Sequence, residues 1–475
     1  MTAHTVSWWR VARNIFFLSL RELLNKGTYL ILGIVIARSM GKTAFGDYAL
    51  SLLLARSFFT IGDFGFGTWL VREVSQAREK AGHFFYTIGL YRIATGTLVL
   101  LLLGGFLLVF PYESSLKRHI LLSGFSFFFI HLISFILNFF RAFEKMEGEW
   151  EVSLSKNLFL FGGGIFALSK QSLDLFFVAF ILSSFVGLLH ALWLYRRRIG
   201  WRKMVWEPMR LSGMLPIWLI QSIVTLYLYL DTVLLSFFRD IAEVGLYQAA
   251  YSFLEVLFVA STVLTTVAFP VFSRLAKSSM DHLFAFYEEL FRTVFFLFVP
   301  FGILALFGAH TLLLFFYGTS FQSALPALYI LLSGSLFFIF GGLNGHLLIA
   351  AGKERIVLGL TFFCTLLNLA LNLWAIPRFG FLGASAVTLI SEAVTFSLML
   401  VQIAKTFESL SFLKGGPMPW LLLAWVLFLL IFTRVSFWIL LPTGLALYGL
   451  LAWLFHRQLS KELRAIKALW KELVF

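Results

Sequence analysis

Three stretches of this chain place ionisable side chains inside otherwise apolar sequence, where a charge is costly and so usually has a purpose. Arg21, Glu22 and Lys26 interrupt the run 11–37. At helical spacing, Asn14, Arg21, Asn25 and Thr28 share one face, with Glu22, Lys26, Tyr29 and Gly33 on the adjoining strip. In the run 46–69, Arg56, Thr60, Asp63 and Gly67 share a face, and Arg92 follows Tyr91 in the third run. At 1.5 Å per residue, Arg21 and Arg56 each lie about 15 Å in from a helix end, near mid-membrane. Cations converging there suit an anion such as a phosphate or pyrophosphate. The competing reading is a structural network, Arg21–Glu22–Arg56–Asp63, that neutralises itself.

The second half carries acidic groups instead: Asp231, Glu255 and Glu392. Asp231 is a candidate for a coupling cation or proton, although its place near a helix end equally fits a solvated or capping role. Gln221, Ser222, Thr225, Tyr229, Gln248, Tyr251, Ser252, Asn344 and His346 fit a sugar-facing wall or interhelical hydrogen bonds. The expected substrate contacts are therefore Arg21, Lys26, Arg56, Arg92, Asn25, Gln221, Thr225 and Tyr251. The expected coupling groups are Glu22, Asp63, Asp231 and Glu255. No Cys/His cluster has metal spacing, and neither a metal nor a cofactor is expected.

These side chains need spanning helices to position them. Of the 475 residues, 60% are hydrophobic and 13% charged, with mean hydropathy +0.89. A soluble domain is about a quarter charged, so this chain lacks the charge to cover a water-facing surface. The reading is an all-α membrane protein with about fourteen spans. They fall near 11–37, 46–69, 84–110, 119–140, 154–169, 174–195, 211–237, 243–271, 286–309, 325–350, 356–376, 381–403, 418–433 and 436–456. No cleavable leader is expected, because the first run holds three charges and no small-residue cleavage site. The single cysteine, Cys364, excludes an internal disulfide.

Charge placement sets orientation. With the N-terminus in the cytoplasm, Arg72, Arg78 and Lys80, then Arg141, Lys145 and Lys156, then the stretch from Arg196 to Arg210, fall inside. Arg274, Lys277, Lys353, Arg355 and the basic C-terminal tail follow on the same side. Outside loops keep few: Arg38, Lys42, Lys117, Arg118, Lys170, Arg239, Arg378 and Arg434. This bias puts both termini in the cytoplasm of a multi-pass cell-membrane (inner or plasma membrane) protein. It also accounts for the net charge of +14 without nucleic acid. In the tail, Leu459, Leu463, Ile466, Trp470 and Leu473 form one apolar face, as in an amphipathic helix lying on membrane lipids.

The chain also repeats. Phe45-Gly46-Asp47-Tyr48-Ala49 and Val244-Gly245-Leu246-Tyr247-Gln248-Ala249 each open a span, with Gly46 and Gly245 199 positions apart. The same offset sets Glu255 in the place of Arg56. Two parallel six-helix lobes are expected, at 1–200 and 201–410, with two extra helices and the tail at 411–475.

Three motifs carry a family resemblance. They are the opening from Gly33 through Arg38-Ser39-Met40-Gly41 and Asp63-Phe64-Gly65-Phe66-Gly67 to Glu73, the run Tyr229-Leu230-Asp231 with Val244-Gly245-Leu246-Tyr247, and Ala350-Ala351-Gly352-Lys353-Glu354 with Asn368, Asn372 and Ile376-Pro377-Arg378-Phe379-Gly380. Over about 10–405 the chain resembles the multidrug, oligosaccharidyl-lipid and polysaccharide exporter superfamily, and within it the O-antigen-type flippases. The resemblance implies no enzyme, but alternating-access transfer of a polyprenyl-pyrophosphate-linked oligosaccharide to the outer leaflet for surface polysaccharide synthesis. The acidic residues make proton or sodium coupling an expectation, and polysaccharide polymerase machinery is an expected partner alongside membrane lipids. The alternatives are a cation-coupled drug exporter of the same superfamily and a membrane glycosyltransferase or polymerase. Against the latter, the longest expected outside loop, 310–324, has no Asp, Glu, Lys or Arg.

The topology has a direct test. Alkaline phosphatase fused after residue 112 or 171 is expected to be active, and fused after 78 or 145 inactive. The reverse pattern would overturn the orientation.

Overall fold

A computed structural model describes residues 8–200 and 214–408, with isolated positions near 440. The expected last two spans, the amphipathic tail and most of the basic stretch 201–213 lie outside the described residues. The described elements are all helical: α1 (Trp8–Ile61), α2 (Phe66–Gln76), α3 (Ala81–Val109), α4 (Ser114–Ala142), α5 (Glu147–Ser169), α6 (Leu173–Arg198), α7 (Leu215–Phe238), α8 (Ile241–Ser278), α9 (Met280–Tyr317), α10 (Leu325–Ala350) and α11 (Glu354–Phe407). Among the described residues eight helices are long and apolar enough to cross a membrane, or nine if α1 and α2 form one bent span. Fourteen spans are more than this count delivers. Part of the difference is local geometry: α1 and α11 each merge two expected spans into one helical stretch, broken only at Gly41 (φ 81°) and Gly380 (φ 59°). A left-handed residue turns the chain between two helical arms, and glycine adopts it without a Cβ penalty.

Two boundaries differ from expectation. The second expected span, 46–69, is interrupted: α1 ends at Ile61, Phe64 and Gly65 are left-handed, and α2 leaves at 49°. The indole of Trp218 donates to the freed Ile61 carbonyl at 2.7 Å, supplying one of the acceptors a helix end leaves open. The fifth span begins at Glu147 rather than 154, so Lys156 lies inside α5 and not in a cytoplasmic loop. The expected outside loop 310–324 is also mostly helix, since α9 continues to Tyr317 and a 3-10 turn fills Thr319–Ala324.

The chain forms two compact units, Met1–Gly245 and Leu246–Phe475. In the first, α2 is amphipathic, and Phe66, Trp69, Leu70 and Val74 bury one face. They join Phe84, Ile136, Phe139, Phe140 and Tyr195 in one core, where Phe85 and Tyr195 rings meet at 4.4 Å. Between α3 and α4, Tyr112 shares a 2.7 Å hydrogen bond with Ser236 of α7. Burial outweighs that bond and pushes the phenol up to about 12, so it stays neutral. In the second unit, Leu283, Tyr287, Leu290 and Val294 recur at helical spacing along α9 and pack on Phe272, Phe340, Leu343 and Leu347.

The glycines aligned by the repeat meet each other. A Cβ on Gly46 would stand 2.0 Å from the Ile241 carbonyl oxygen, and one on Gly245 would stand 2.1 Å from that of Lys42. The backbones cross too closely for any side chain. Gly46→Val is therefore expected to cost about 1–3 kcal/mol through forced backbone movement. Gly104→Ala, which meets nothing within 4 Å, is expected to leave stability unchanged or raised. Thermal unfolding in detergent reads both.

Candidate anion site in the first unit

Starting at the α4–α5 connection, Glu147 and Glu149 sit in the first turn of α5, where carboxylates complement the helix dipole. Glu149 is wholly buried (0% exposed). It accepts from Arg141 Nε at 2.7 Å and Nη2 at 3.1 Å, and also from Arg21 Nη1. The other Arg21 nitrogen, Nη2, donates to Glu22 at 2.8 Å. Glu149 is the third residue of α5 and Arg141 the second-last of α4. Arg21 therefore lies toward that connection.

Two turns further along α5, about 11 Å on, a second layer forms. Asn157 donates to Asn25 Oδ1 at 2.7 Å. Lys156 is only 7% exposed, donates to the Tyr29 hydroxyl at 3.1 Å and lies 5.2 Å from that ring's centre. A cation–π contact offsets part of the cost of burying an ammonium, but it supplies no negative charge.

A third group sits at the break after α1. Asp63 accepts from Gly67 N at 3.2 Å, capping α2, and pairs with Arg92 Nη1. Arg92, 1% exposed, also donates from Nη2 to the His131 carbonyl at 3.2 Å. Of the expected network Arg21–Glu22–Arg56–Asp63 only the Arg21–Glu22 link forms: Arg21 also goes to Glu149, and Asp63 pairs with Arg92 rather than Arg56. Arg56 is exposed, 5.8 Å from the Tyr229 ring centre, and Lys26 is exposed on the other arm of α1. Neither carries a carboxylate partner among the described residues.

The remaining expected residues are scattered. Gln221 is half-buried, and Thr225 uses its hydroxyl on the Gln221 carbonyl at 2.7 Å. Asp231 is buried rather than solvated, and accepts from its neighbour Thr232 N at 2.7 Å. In the second unit, Tyr251 is buried against Tyr247, ring centres 5.5 Å apart, whereas Glu255 is exposed. Asn344 is buried and bonded by the Tyr287 hydroxyl at 2.7 Å, and Glu392 is buried in α11.

Sequence reasoning missed Glu149 and Asn157 and placed Lys156 in a loop, whereas Tyr29 was already on the charged strip of the first run. The signal for Glu149 was the acidic run Glu147, Glu149, Glu151 before an apolar stretch, which marks a helix start. Arg21, Lys26, Arg56, Arg92, Arg141 and Lys156 together face only Glu22, Asp63 and Glu149. The first unit thus has a surplus of positive charge, and it suits an anion.

Comparison with known proteins places the chain in a family and a fold. The family described as polysaccharide biosynthesis protein matches residues 11–276, more than half of the chain. The chain belongs to this family. An uncharacterized membrane protein of Methanocaldococcus jannaschii is 24% identical over 182 residues, 38% of this chain and 36% of that protein, so the match spans little more than a third of the relative. Among solved structures, the lipid II flippase MurJ in an inward closed conformation has a TM-score of 0.73 at 16% identity, covering 94% of this chain and 99% of that one. An inward-facing multidrug resistance MATE transporter reaches 0.66 at 14% identity, over 84% and 99%. A MOP superfamily transporter from Pyrococcus furiosus reaches 0.56 at 14%, over 86% and 96%. This polysaccharide biosynthesis family member therefore has the fold of those transporters, all-helical and multi-pass.

The buried pair makes a stability prediction. Arg92→Met leaves Asp63 with an uncompensated charge and is expected to cost about 3–5 kcal/mol. Adding Asp63→Leu to Arg92→Met is expected to recover only part of the loss in thermal unfolding, because it also removes the acceptor for the Gly67 amide.

Proposed function

We propose that this protein is a flippase that moves a polyprenyl-pyrophosphate-linked oligosaccharide from the cytoplasmic to the outer leaflet for surface polysaccharide synthesis. The carrying observation is the unbalanced charge of the first unit. Lys26 and Arg56 are exposed on helices of spanning character, and Lys156 is buried with only a phenol as partner. A cation at membrane depth persists when it faces a water-filled cavity or meets an anion. A pyrophosphate supplies that anion, and guanidinium groups bind it with two parallel hydrogen bonds. Membership of the polysaccharide family and a fold like that of the lipid II flippase support the same cargo class.

In this reading Arg21, Lys26 and Arg56 hold or steer the pyrophosphate, and Asn25 and Gln221 face the glycan. Two six-helix lobes, 1–200 and 201–410, alternate in exposing the cargo. Glu22, Asp63, Asp231 or Glu255 couple the cycle to protons or sodium. The protein resides in the cell membrane with both termini in the cytoplasm, next to the polymerase that consumes its product. Export of cationic drugs, the second reading, is supported by the MATE-like fold. The surplus of fixed positive charge disfavours it, since a cavity for cations requires the opposite sign.

Export decides between them. Arg56→Ala and Lys26→Ala are each expected to lower surface glycan at unchanged protein level by about tenfold or more, the loss of one charge-assisted contact. Full export by both variants overturns the proposal.

A further inference from the structure

Arg21 is held from two sides by carboxylates of opposite character. Glu149 is fully buried, is shared with Arg141 and takes Nη1; Glu22 has a side chain 52% exposed and takes Nη2. Nε of Arg21 is buried and has no hydrogen-bond partner. The Nε–Nη2 edge is the two-donor fork by which a guanidinium grips a phosphate. Here that edge is half used, and by the weaker, solvent-accessible partner.

We propose that Glu22 is a placeholder anion on Arg21, displaced when the cargo phosphate arrives, and that Glu149 is the positioning residue that keeps the guanidinium edge aimed while the exchange occurs. The proposal rests on the flippase reading above. Its physical basis is the difference between the two contacts. An exposed pair between neighbouring residues contributes little and is screened by salt. A wholly buried carboxylate holding two guanidiniums does not leave, because departure strands charges away from water. A phosphate oxygen pair that engages Nε and Nη2 satisfies the orphaned Nε as well, and Glu22 returns to solvent without a desolvation penalty. In the absence of cargo the same contact keeps the arginine neutralised, so the site does not retain stray anions.

The test uses the full-length protein in lipid nanodiscs, with sugar-free polyprenyl pyrophosphate as the probe and the uncharged polyprenol as control. Glu22→Gln removes the competitor and is expected to tighten pyrophosphate binding about fivefold at low salt. The gain is expected to vanish in high salt and to be absent for polyprenol. Arg21→Lys lacks the two-donor edge, so it is expected to weaken binding and to abolish the gain from Glu22→Gln. The placeholder is overturned if Arg21→Ala loses binding while Glu22→Gln leaves it unchanged or weaker, or if polyprenol gains equally. Should the wild-type protein not bind the pyrophosphate at all, the flippase reading falls with it.

Discussion

The constraint on which this structure depends is the cost of placing charge in hydrocarbon. Every ionisable group on a spanning helix needs a counter-charge, a hydrogen-bonding shell or access to water. The first unit uses the first two. Arg92 meets Asp63 and a backbone carbonyl; Arg141 and Arg21 meet Glu149; Lys156 meets a phenol. Lys26 and Arg56 stay exposed. The arrangement is asymmetric because carboxylates run out before cations do, and that asymmetry is what supports the proposed anionic cargo.

The same constraint shapes the backbone. A helix that stops within the membrane frees carbonyls and amides with no water to bind them. At the break after Ile61 the loose ends are taken up by side chains. The Trp218 indole takes the Ile61 carbonyl and the Asp63 carboxylate takes the Gly67 amide. Asp63 thus serves the backbone and Arg92 together. Changing it disturbs a helix start and an ion pair at once.

How much of this is legible in sequence varies residue by residue. The helical class and the positions of most segments follow from apolar runs of bilayer length, because that requirement is local in the chain. The segment ends are less legible. Glu147, Glu149 and Glu151 fall before the expected start of the fifth span at 154, yet α5 already contains them, with Glu147 and Glu149 complementing the helix dipole in its first turn. The break at residues 62–65 is hidden for the opposite reason. Apolar residues flank it on both sides and outweigh Gly62, Asp63 and Gly65, and left-handed Phe64 and Gly65 reveal the turn.

By itself, the sequence determined that this protein is helical, lives in a membrane, repeats a motif around Gly46 and Gly245, and puts basic residues into its first three spans. Those properties depend on composition and on spacings along one chain. The tertiary structure alone decided which charges neutralise each other. Glu149 lies 128 positions from Arg21, and Asp63 29 positions from Arg92. No periodicity connects residues on different helices. Pairing there is set by which helix faces pack together, and that choice leaves Lys26 and Arg56 as cations without a carboxylate among the described residues.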